Sequence, residues 1–288
     1  MKNVAITGVS TGIGYGAARE FISKGYRVFG SVRRKEDAVR LKAEFGENFI
    51  PLIFDLLDHD SVYKAASEVK EFIGNESLCG LINNAGATEG GPLMHMSIDT
   101  FRNQLELLVT GQLVVTRAFL PLLGAYKGFD RKPGRILMIS STSGKAGFPF
   151  VGPYAASKHA LEGLSKSLRA ELLLYGINVI VIGPGNIQTP IWSKNRPETL
   201  ELYRDTDYYE PLKRMHAYLK DLVPKDSIDL DVFSRKLVRI FEKKNPKVRY
   251  TIVNKPINHW IITRLIPEKI KNRFVAGLFS LNKAKLSI

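Results

Sequence analysis

Short apolar runs alternate with longer amphipathic segments over the first 185 residues, and this alternation constrains the fold most. The runs VAIT, RVFGSV, FIPLIF, GLIN, RILMIS and NVIVI are rich in β-branched residues, which predicts strands. The segments between them carry apolar residues three and four positions apart, which predicts helices. Repeated strand–helix–strand units with continuously apolar strands form parallel sheets with helices on both faces. The sequence therefore predicts a doubly wound α/β fold.

The alternation ends after Pro184-Gly185. Residues 186–230 are rich in Pro, Tyr and charge, and we interpret them as an insertion. A helix over 231–243 and a last strand over 247–253 (KVRYTIV) follow, and 254–288 is an amphipathic, aromatic extension. Because no internal repeat or low-complexity linker divides the chain, we expect a single domain over residues 1–288.

The composition excludes several classes of protein. The chain has 288 residues, 44% of them apolar, which is enough for a large core. No apolar run reaches the roughly 18 residues that a membrane span needs, and the N-terminus lacks the pattern of a secretory signal. The single cysteine, Cys79, can form neither an internal disulfide nor, alone, a zinc site. We expect a cytoplasmic protein without a bound metal.

The net charge of +14 is concentrated near the C-terminus, where residues 211–288 hold 18 Lys or Arg against 6 Asp or Glu. Such a region can bind nucleic acid, anionic lipid or an acidic substrate. The basic residues are scattered among apolar ones, which favours a solvated face and oligomer contacts instead. We see no nucleic-acid-binding motif and expect no nucleic-acid partner. The terminal HWIITRLIPEKIKNRFVAGLF could also contact a membrane surface, although docking on its own domain or on a partner subunit is the preferred interpretation.

Three glycines mark the end of the first predicted strand. VAITGVSTGIG places Gly8, Gly12 and Gly14 where the strand passes into the first helix. A turn without Cβ atoms lets backbone N–H groups approach a pyrophosphate, and the helix N-terminus adds favourable charge. A tight turn without a ligand is the alternative, but the first-strand position favours a dinucleotide site.

A tyrosine and a lysine lie four residues apart at the start of another predicted helix. Tyr154 and Lys158 therefore share one face, where an ammonium group favours the phenolate and lowers the pKa of the tyrosine. Thirteen residues earlier, Ser141 ends the strand RILMIS, with Ser140 and Ser143 as competing hydroxyls. A surface pair is the alternative interpretation of the Tyr–Lys spacing alone.

Taken together, TGVSTGIG (7–14), NNAG (83–86), Ser141, YAASK (154–158) and Pro184-Gly185 with Thr189 resemble the short-chain dehydrogenase/reductase family, and the C-terminal quarter weakly resembles its steroid- and retinol-dehydrogenase branch. The resemblance covers roughly residues 1–190. It implies a Rossmann-like fold with a seven-stranded parallel sheet. It also implies NAD(P)-dependent oxidation of alcohols or reduction of ketones, with Ser141, Tyr154 and Lys158 as catalytic residues.

The same resemblance implies a set of cofactor-binding residues. They are Gly8, Ser10, Thr11, Gly12, Ile13 and Gly14 at the pyrophosphate, Asp55 and Leu56 at the adenine, Asn83, Ala85 and Gly86 at the adenosine ribose, Pro184, Gly185, Ile187 and Thr189 beside the nicotinamide, and Tyr154 and Lys158 at its ribose.

The end of the second predicted strand bears on the choice between NAD and NADP. An NAD enzyme usually holds the ribose 2′-OH with an acidic residue there, but Ser31 and Val32 carry no carboxylate and Arg33 follows. A guanidinium group suits a 2′-phosphate in charge and shape. A solvated basic turn is the alternative, and the neutral Thr11 argues against a phosphate site. We expect NADP, with NAD as the other possibility.

One position departs from the family pattern. The family usually has Asn three residues before the glycine that corresponds to Gly111, where it helps to hold a water behind the lysine, and this chain has Leu108. Either the backbone carbonyl alone holds that water, or Thr110 or another group replaces the Asn, or turnover is slower. The alternative function is a non-catalytic NADP(H)-binding sensor or interaction protein.

The expected pocket walls are apolar. Loops that follow the predicted strands carry Leu93, Met94, Phe148, Phe150, Ile191 and Trp192. These predict a steroid-, retinoid- or lipid-like alcohol or ketone as substrate, unless the side chains pack against each other as a lid. The family resemblance also implies a homodimer or homotetramer, formed through the helices around 99–123 and 154–175.

Overall fold

The computed structural model describes residues 1–190 and 200–282, apart from the side chains of residues 260 and 262–264. Within these ranges seven strands form one sheet, in the order β3-β2-β1-β4-β5-β6-β7, and all neighbouring strands are parallel. The strands are β1 (Lys2–Ile6), β2 (Tyr26–Val32), β3 (Phe49–Ile53), β4 (Leu78–Asn83), β5 (Arg135–Ile139), β6 (Asn178–Pro184) and β7 (Arg249–Ile252). The predicted strands and the seven-stranded parallel sheet are confirmed.

Helices cover both faces of this sheet. The helices are α1 (Gly12–Ser23), α2 (Lys35–Phe45), α3 (His59–Ile73), α4 (Ile98–Leu105), α5 (Gly111–Phe119), α6 (Gly152–Glu171), α7 (Tyr209–Asp226), α8 (Leu230–Glu242), α9 (Pro256–Arg264) and α10 (Glu268–Phe279). One core layer joins the sheet to α1, α2 and α8, and a second joins the opposite face to α3, α5 and α6. The doubly wound prediction is therefore confirmed.

Side-chain caps fix where several helices begin. Asp58 accepts a hydrogen bond from Ser61 N at 3.2 Å before α3, and Ser97 accepts one from Thr100 N at 3.1 Å before α4. Such caps satisfy backbone N–H groups that have no partner within the helix. In contrast, the residue before α1, Thr11, makes no side-chain cap. The N–H groups in the first turn of α1 therefore lack the acceptor that α3 and α4 have.

The prediction of one continuous helix around 99–123 is wrong, because other turns interrupt it. A π-helical turn over Glu106–Thr110 separates α4 from α5, and a 3₁₀ turn over Leu120–Leu123 ends the stretch. The five residues ELLVT are too few for apolar spacing to distinguish a π-turn from an α-helical turn. Leu108 in this turn is buried and contacts the position of Gly86, where a Cβ would lie 2.6 Å from Leu108 Cδ2.

The stretch Ile98–Leu123 is long and apolar enough to cross a membrane by these two criteria. It is not an unbroken apolar run, because charged residues such as Arg102 and Glu106 interrupt it. Val115, Phe119 and Leu123 within it are fully buried against the sheet and its other helices. We therefore interpret the stretch as a core helix.

A third apolar cluster lies outside the two main layers. It joins α7 and α10 to the loop that follows β5, and its buried members are Phe150, Tyr203, Leu212, Met215 and Phe279. Phe279 contacts Phe148 and Tyr218 edge-on, with ring centroids 5.7 and 5.6 Å apart. The described part of the predicted insertion and the C-terminal extension therefore pack together beside the end of β5.

Replacement of Phe21 by alanine tests the first core layer. Phe21 is fully buried and contacts Tyr26 and Phe241 edge-on, with centroids 5.1 and 5.0 Å apart. We expect Phe21→Ala to lower the free energy of unfolding by about 3–5 kcal/mol, because it removes buried area and leaves a cavity. Urea denaturation measures the loss. The control is Phe274→Ala on α10, where the ring is 70% exposed; equal losses in the two variants contradict the assignment of Phe21 to the core.

Candidate active site

The turn after β1 approaches the segment after β4 too closely for side chains at two positions. Gly8 has a φ of +71°, and a Cβ on it would lie 2.7 Å from Ala85 Cα. A Cβ on Gly14 would lie 2.1 Å from the carbonyl oxygen of Gly8. Both positions require glycine on steric grounds. The turn thus has the open backbone that a phosphate cradle needs.

Hydrogen bonds from Thr7 and Asn84 fasten this turn. Thr7 Oγ1 accepts from Asn84 N and Ala85 N, each at 2.9 Å. Asn84 Nδ2 donates to the carbonyl oxygens of Thr7 and Gly8, at 2.9 and 3.1 Å. The residue predicted from the NNAG motif was its neighbour, Asn83. Asn84 is therefore an additional positioning residue, and the same motif contained its signal.

Asn83 ties strands to a helix. Its Nδ2 donates to Thr116 Oγ1 at 2.7 Å and to Met138 Sδ at 3.1 Å, which connects β4 to α5 and β5. Among the described residues, the buried Oδ1 atom of Asn83 and the Oε1 atom of Gln112 have no hydrogen-bond partner. Buried acceptors without partners are uncommon, and they leave acceptors available at this end of the sheet.

The segment after β6 faces the glycine-rich turn. A Cβ on Gly12 would lie 3.5 Å from Thr189 Cβ. Gly185 N donates to the carbonyl oxygen of Ile252 at 2.9 Å, and Ile187 pairs with Ile228. The predicted residues from Pro184 to Thr189 therefore lie across from the N-terminus of α1, with its uncapped N–H groups. The open glycines, the helix end and the unpartnered acceptors together fit a dinucleotide.

The ends of β2 and β3 carry the predicted adenosine contacts. Ser31 Oγ accepts from Gly8 N at 2.9 Å, so this serine holds the turn. The Arg33 side chain is 75% exposed and its Nη1 lies 3.8 Å from Asp55 Oδ2, a solvated ion pair of little energy. Leu56 is buried and belongs to the second core layer. Arg33 remains available for an anion.

Arg40 also contacts the glycine-rich turn, a contact that was not predicted from the sequence. Its Nη2 atom donates to the carbonyl oxygen of Ser10 at 2.9 Å and to Asp37 Oδ1 at 3.0 Å. A guanidinium group from α2 therefore lies beside the turn in which Thr11 is neutral. No sequence signal identifies this contact, because it joins residues 30 positions apart.

Ser141, Tyr154 and Lys158 come together, as predicted. Ser141 follows β5, and its Oγ accepts from Ser143 N at 3.0 Å. Tyr154 and Lys158 lie in the first turns of α6, and the Ser141 side chain is near enough to Tyr154 to act on the pKa of its phenol. Lys158 Nζ donates to the carbonyl oxygen of Ile139 at 2.8 Å and lies 5.6 Å from the centroid of the Tyr154 ring.

Burial dominates the protonation of this group. It raises the pKa of Tyr154, while the hydrogen bond with Ser141 acts in the opposite direction. It also lowers the pKa of Lys158 from 10.5 to about 8. The lowering of this pKa by the Lys158 ammonium together with a bound, positively charged nicotinamide stays a prediction. Among the protein's own groups, burial has the largest effect on the phenol, and the Lys158 ammonium is directed at a backbone carbonyl.

Leu108 offers no polar side-chain atom near Lys158, and its side chain fills space beside Gly86. The neighbouring polar link comes from Ser157, whose Oγ donates to the carbonyl oxygens of Pro153 and Gln104, at 2.8 and 3.3 Å. This link fastens α6 to α4, just before the π-turn. Gln104 in turn holds the loop after β4, because its Oε1 accepts from Glu89 N at 2.7 Å.

The predicted pocket walls are partly in place. Phe148 and Phe150 belong to the third apolar cluster, and the carbonyl oxygen of Phe150 accepts from Gly91 N at 2.7 Å. Leu93 touches the start of α6 at Gly152 but is 61% exposed, and Met94 is 78% exposed. Ile191 and Trp192 lie outside the described residues. Among described residues there is also no group of three or more His, Cys, Asp or Glu side chains that could hold a metal ion.

Phe150 adopts a backbone conformation that is unusual for its residue type. Its φ is +64°, a region that bulky residues rarely occupy. Such strain persists where the surroundings fix it, often near functional sites. The strained residue lies four positions before Tyr154 and anchors the loop that leads into α6.

Comparisons with known proteins agree with this geometry. The family model described as short chain dehydrogenase matches residues 2–200. The chain is 37% identical to the NADPH-dependent 3-dehydrocapnine reductase of Ornithobacterium rhinotracheale, over 95% of each chain. It is 31% identical to mouse retinol dehydrogenase 16, over 75% of this chain and 70% of that one.

Solved structures share the fold. A short-chain dehydrogenase/reductase from Burkholderia phymatum in complex with NAD has a TM-score of 0.76 at 21% identity, covering 94% of this chain and 95% of that one. A short-chain dehydrogenase from Streptomyces avermitilis has a TM-score of 0.74 at 23% identity, covering 97% and 96%.

The lowered pKa of Lys158 makes stability depend on pH. The folded protein releases this proton near pH 8 and the unfolded chain near 10.5, so the unfolded chain binds more protons between these values. The stability that Lys158 contributes therefore rises with pH through that window. We expect the stability of the wild type relative to Lys158→Met to increase by about 3 kcal/mol between about pH 7 and pH 10, measured by urea denaturation. Lys64→Met, on exposed α3 surface, is the control; a flat difference for Lys158→Met contradicts the burial of the ammonium group.

Proposed function

Because this chain belongs to the short-chain dehydrogenase/reductase family, we propose that it reduces an apolar ketone with NADPH, using Ser141, Tyr154 and Lys158. The chain is a nicotinamide-dependent oxidoreductase that transfers a hydride between the cofactor and an alcohol or ketone. One observation carries the residue assignment: the buried Ser141 and Lys158 and the half-buried Tyr154 lie together after β5 and at the start of α6. Parallel sheets bind ligands at this carboxyl edge.

The cofactor is NADP(H), as the 37% identical relative's name states for that protein. The N-terminus of α1 and the open glycines of the turn would hold the pyrophosphate, and Thr189 would close over it. Arg33, with Arg40 beside Ser10, would receive the 2′-phosphate, because guanidinium groups form paired hydrogen bonds with phosphate. Bound NADPH supplies the hydride.

The protein supplies position and a proton. Ser141 and Tyr154 would donate hydrogen bonds to the substrate carbonyl oxygen, which orients the carbonyl and stabilises the negative charge that develops on it. Tyr154 would then give its proton to that oxygen. Lys158, held by the carbonyl of Ile139, would keep a positive charge near the phenol as it loses its proton.

The reducing direction is supported by the name of the 37% identical relative, an NADPH-dependent reductase. In that direction the Tyr154 phenol would act as the acid, and in the oxidising direction it would act as the base.

An apolar substrate is supported by the walls around this cluster. Phe148 and Phe150 lie in the loop between Ser141 and Tyr154, and α7 and α10 pack against them. Aromatic and aliphatic linings bind ligands with a large apolar part. Relatives are named for retinol and for 3-dehydrocapnine.

Three further predictions accompany this function: a single domain over residues 1–288, a homodimer or homotetramer, and a cytoplasmic location. Half-buried Leu113 and Leu164, on α5 and α6, are available to an oligomer interface. Light scattering after size-exclusion chromatography tests the oligomer, and limited proteolysis tests the domain prediction.

Replacement of Tyr154 by phenylalanine tests the proton transfer. With a panel of steroid, retinoid and long-chain ketones, followed by loss of NADPH absorbance, we expect kcat to fall at least a hundredfold, because the proton donor is lost. NADPH affinity, measured by fluorescence titration, should change less than threefold. The control is Tyr63→Phe on exposed α3. Turnover that survives in Tyr154→Phe contradicts the role of the phenol, and NADPH binding without any turnover in the wild type supports the sensor alternative.

Arg33→Ala tests the choice of cofactor. Loss of a charged partner of the 2′-phosphate should raise the KM for NADPH by about tenfold or more and leave that for NADH within twofold. Arg40→Ala should act in the same direction. Arg102→Ala on α4, which pairs with Asp99, is the matched surface control. Equal effects of Arg33→Ala on NADPH and NADH contradict the assignment.

A further inference from the structure

A buried carboxylate lies one helical turn beyond the catalytic lysine. Glu162 follows Lys158 by four residues on the same face of α6 and is only 4% exposed. Its two oxygens accept from Arg249 Nε at 2.9 and 3.0 Å, and Lys145 Nζ lies 3.3 Å from Oε2. Buried carboxylates persist when they are paired in this way.

Arg249 reaches from β7 across β6 to the end of β5. Its Nη2 atom donates to the carbonyl oxygen of Ser141 at 3.4 Å, and its Nη1 atom contacts Thr251. The guanidinium group also faces α9, where burial and the Arg249 charge together lower the pKa of His259. One side chain therefore joins β7, α6 and the backbone of the catalytic serine.

The backbone makes room for this pair. A Cβ on Gly183 of β6 would lie 2.5 Å from Arg249 Nη2, on the path of the guanidinium group. A Cβ on Gly144 would lie 3.1 Å from Glu162 Cγ. Glycine at these two positions therefore leaves room for the Glu162–Arg249 pair. A side chain at Gly183 would occupy the place of the guanidinium group.

We propose that the Glu162–Arg249 pair is a positioning unit for Ser141, an inference that rests on the proposed function. Arg249 holds the Ser141 carbonyl while Glu162 fixes the guanidinium group on α6, the helix that carries Tyr154 and Lys158. The pair thereby sets the distance between the serine hydroxyl and the phenol. Catalysis is sensitive to displacements of this kind because the reacting groups must be aligned.

Two variants separate positioning from stability. The double variant Glu162→Leu/Arg249→Met removes both charges, and apolar replacements of buried pairs commonly keep stability. Gly183→Ala keeps both charges but displaces the guanidinium group. The control is Arg169→Ala, because Arg169 also ties α6 to β6 and to the residue before β7, through the carbonyls of Val179 and Val248, without contacting Ser141.

The kinetic measurements are kcat and the KM for NADPH, with the ketone of the panel that is reduced fastest. The spectroscopic measurement is the ¹³C NMR resonance of Tyr154 Cζ in protein labelled with ¹³C at this tyrosine carbon. The resonance is assigned by its loss in Tyr154→Phe. We expect both variants to lower kcat about tenfold or more, to leave the KM for NADPH within twofold and to move the Tyr154 resonance. Arg169→Ala should do none of these.

A folded variant with the kcat of the wild type, or with an unmoved Tyr154 resonance, overturns the proposal. If the double variant does not fold, the result for Gly183→Ala decides whether the proposal stands. The resonance needs no turnover. If the wild type reduces no ketone, the proposed function fails while the resonance still decides whether the pair holds Ser141 against Tyr154.

Discussion

The close approach of the turn after β1 to the segment after β4 is the constraint on which the rest of the site depends. Gly8 and Ala85 leave no room for a side chain between them, and the Thr7 hydroxyl holds both segments together. Because β1 and β4 are neighbours in the parallel sheet, their carboxyl ends meet at one edge. This edge receives the N-terminus of α1 on one side and the end of β5, with Ser141, on the other.

At the other half of the site, burial has the largest effect on the pKa values of Tyr154 and Lys158. Away from water, Tyr154 holds its proton more strongly and Lys158 holds its proton less strongly than either does in solution. The phenol thus keeps its proton at neutral pH, and the protonation of the lysine is sensitive to negative charge that appears beside it. The Glu162–Arg249 pair, with Lys145 beside Glu162, lies behind this group and connects the helix to the backbone of Ser141.

The strands could be predicted from the sequence because they depend on local patterns. Short runs of apolar and β-branched residues predicted all seven strands among the described residues, and Tyr154 and Lys158 share a face by helical spacing alone. Ser141 was selected by the family resemblance and not by a local pattern. Features that depend on tertiary contacts could not be predicted. A single π-turn is too short to be recognised from apolar spacing, and Arg249 meets Glu162 across 87 residues. The raised pKa of Tyr154 follows from burial, which no spacing reveals.

Direct transfer of a hydride from the nicotinamide to a carbonyl carbon can be followed with deuterium. The ketone is reduced with NADPH that carries two deuterium atoms at C4, in ordinary water, and the alcohol is analysed by mass spectrometry. We expect one deuterium on the carbinol carbon, and none there when unlabelled NADPH is used in deuterium oxide. An alcohol that takes its carbon-bound hydrogen from the solvent would rule out direct hydride transfer.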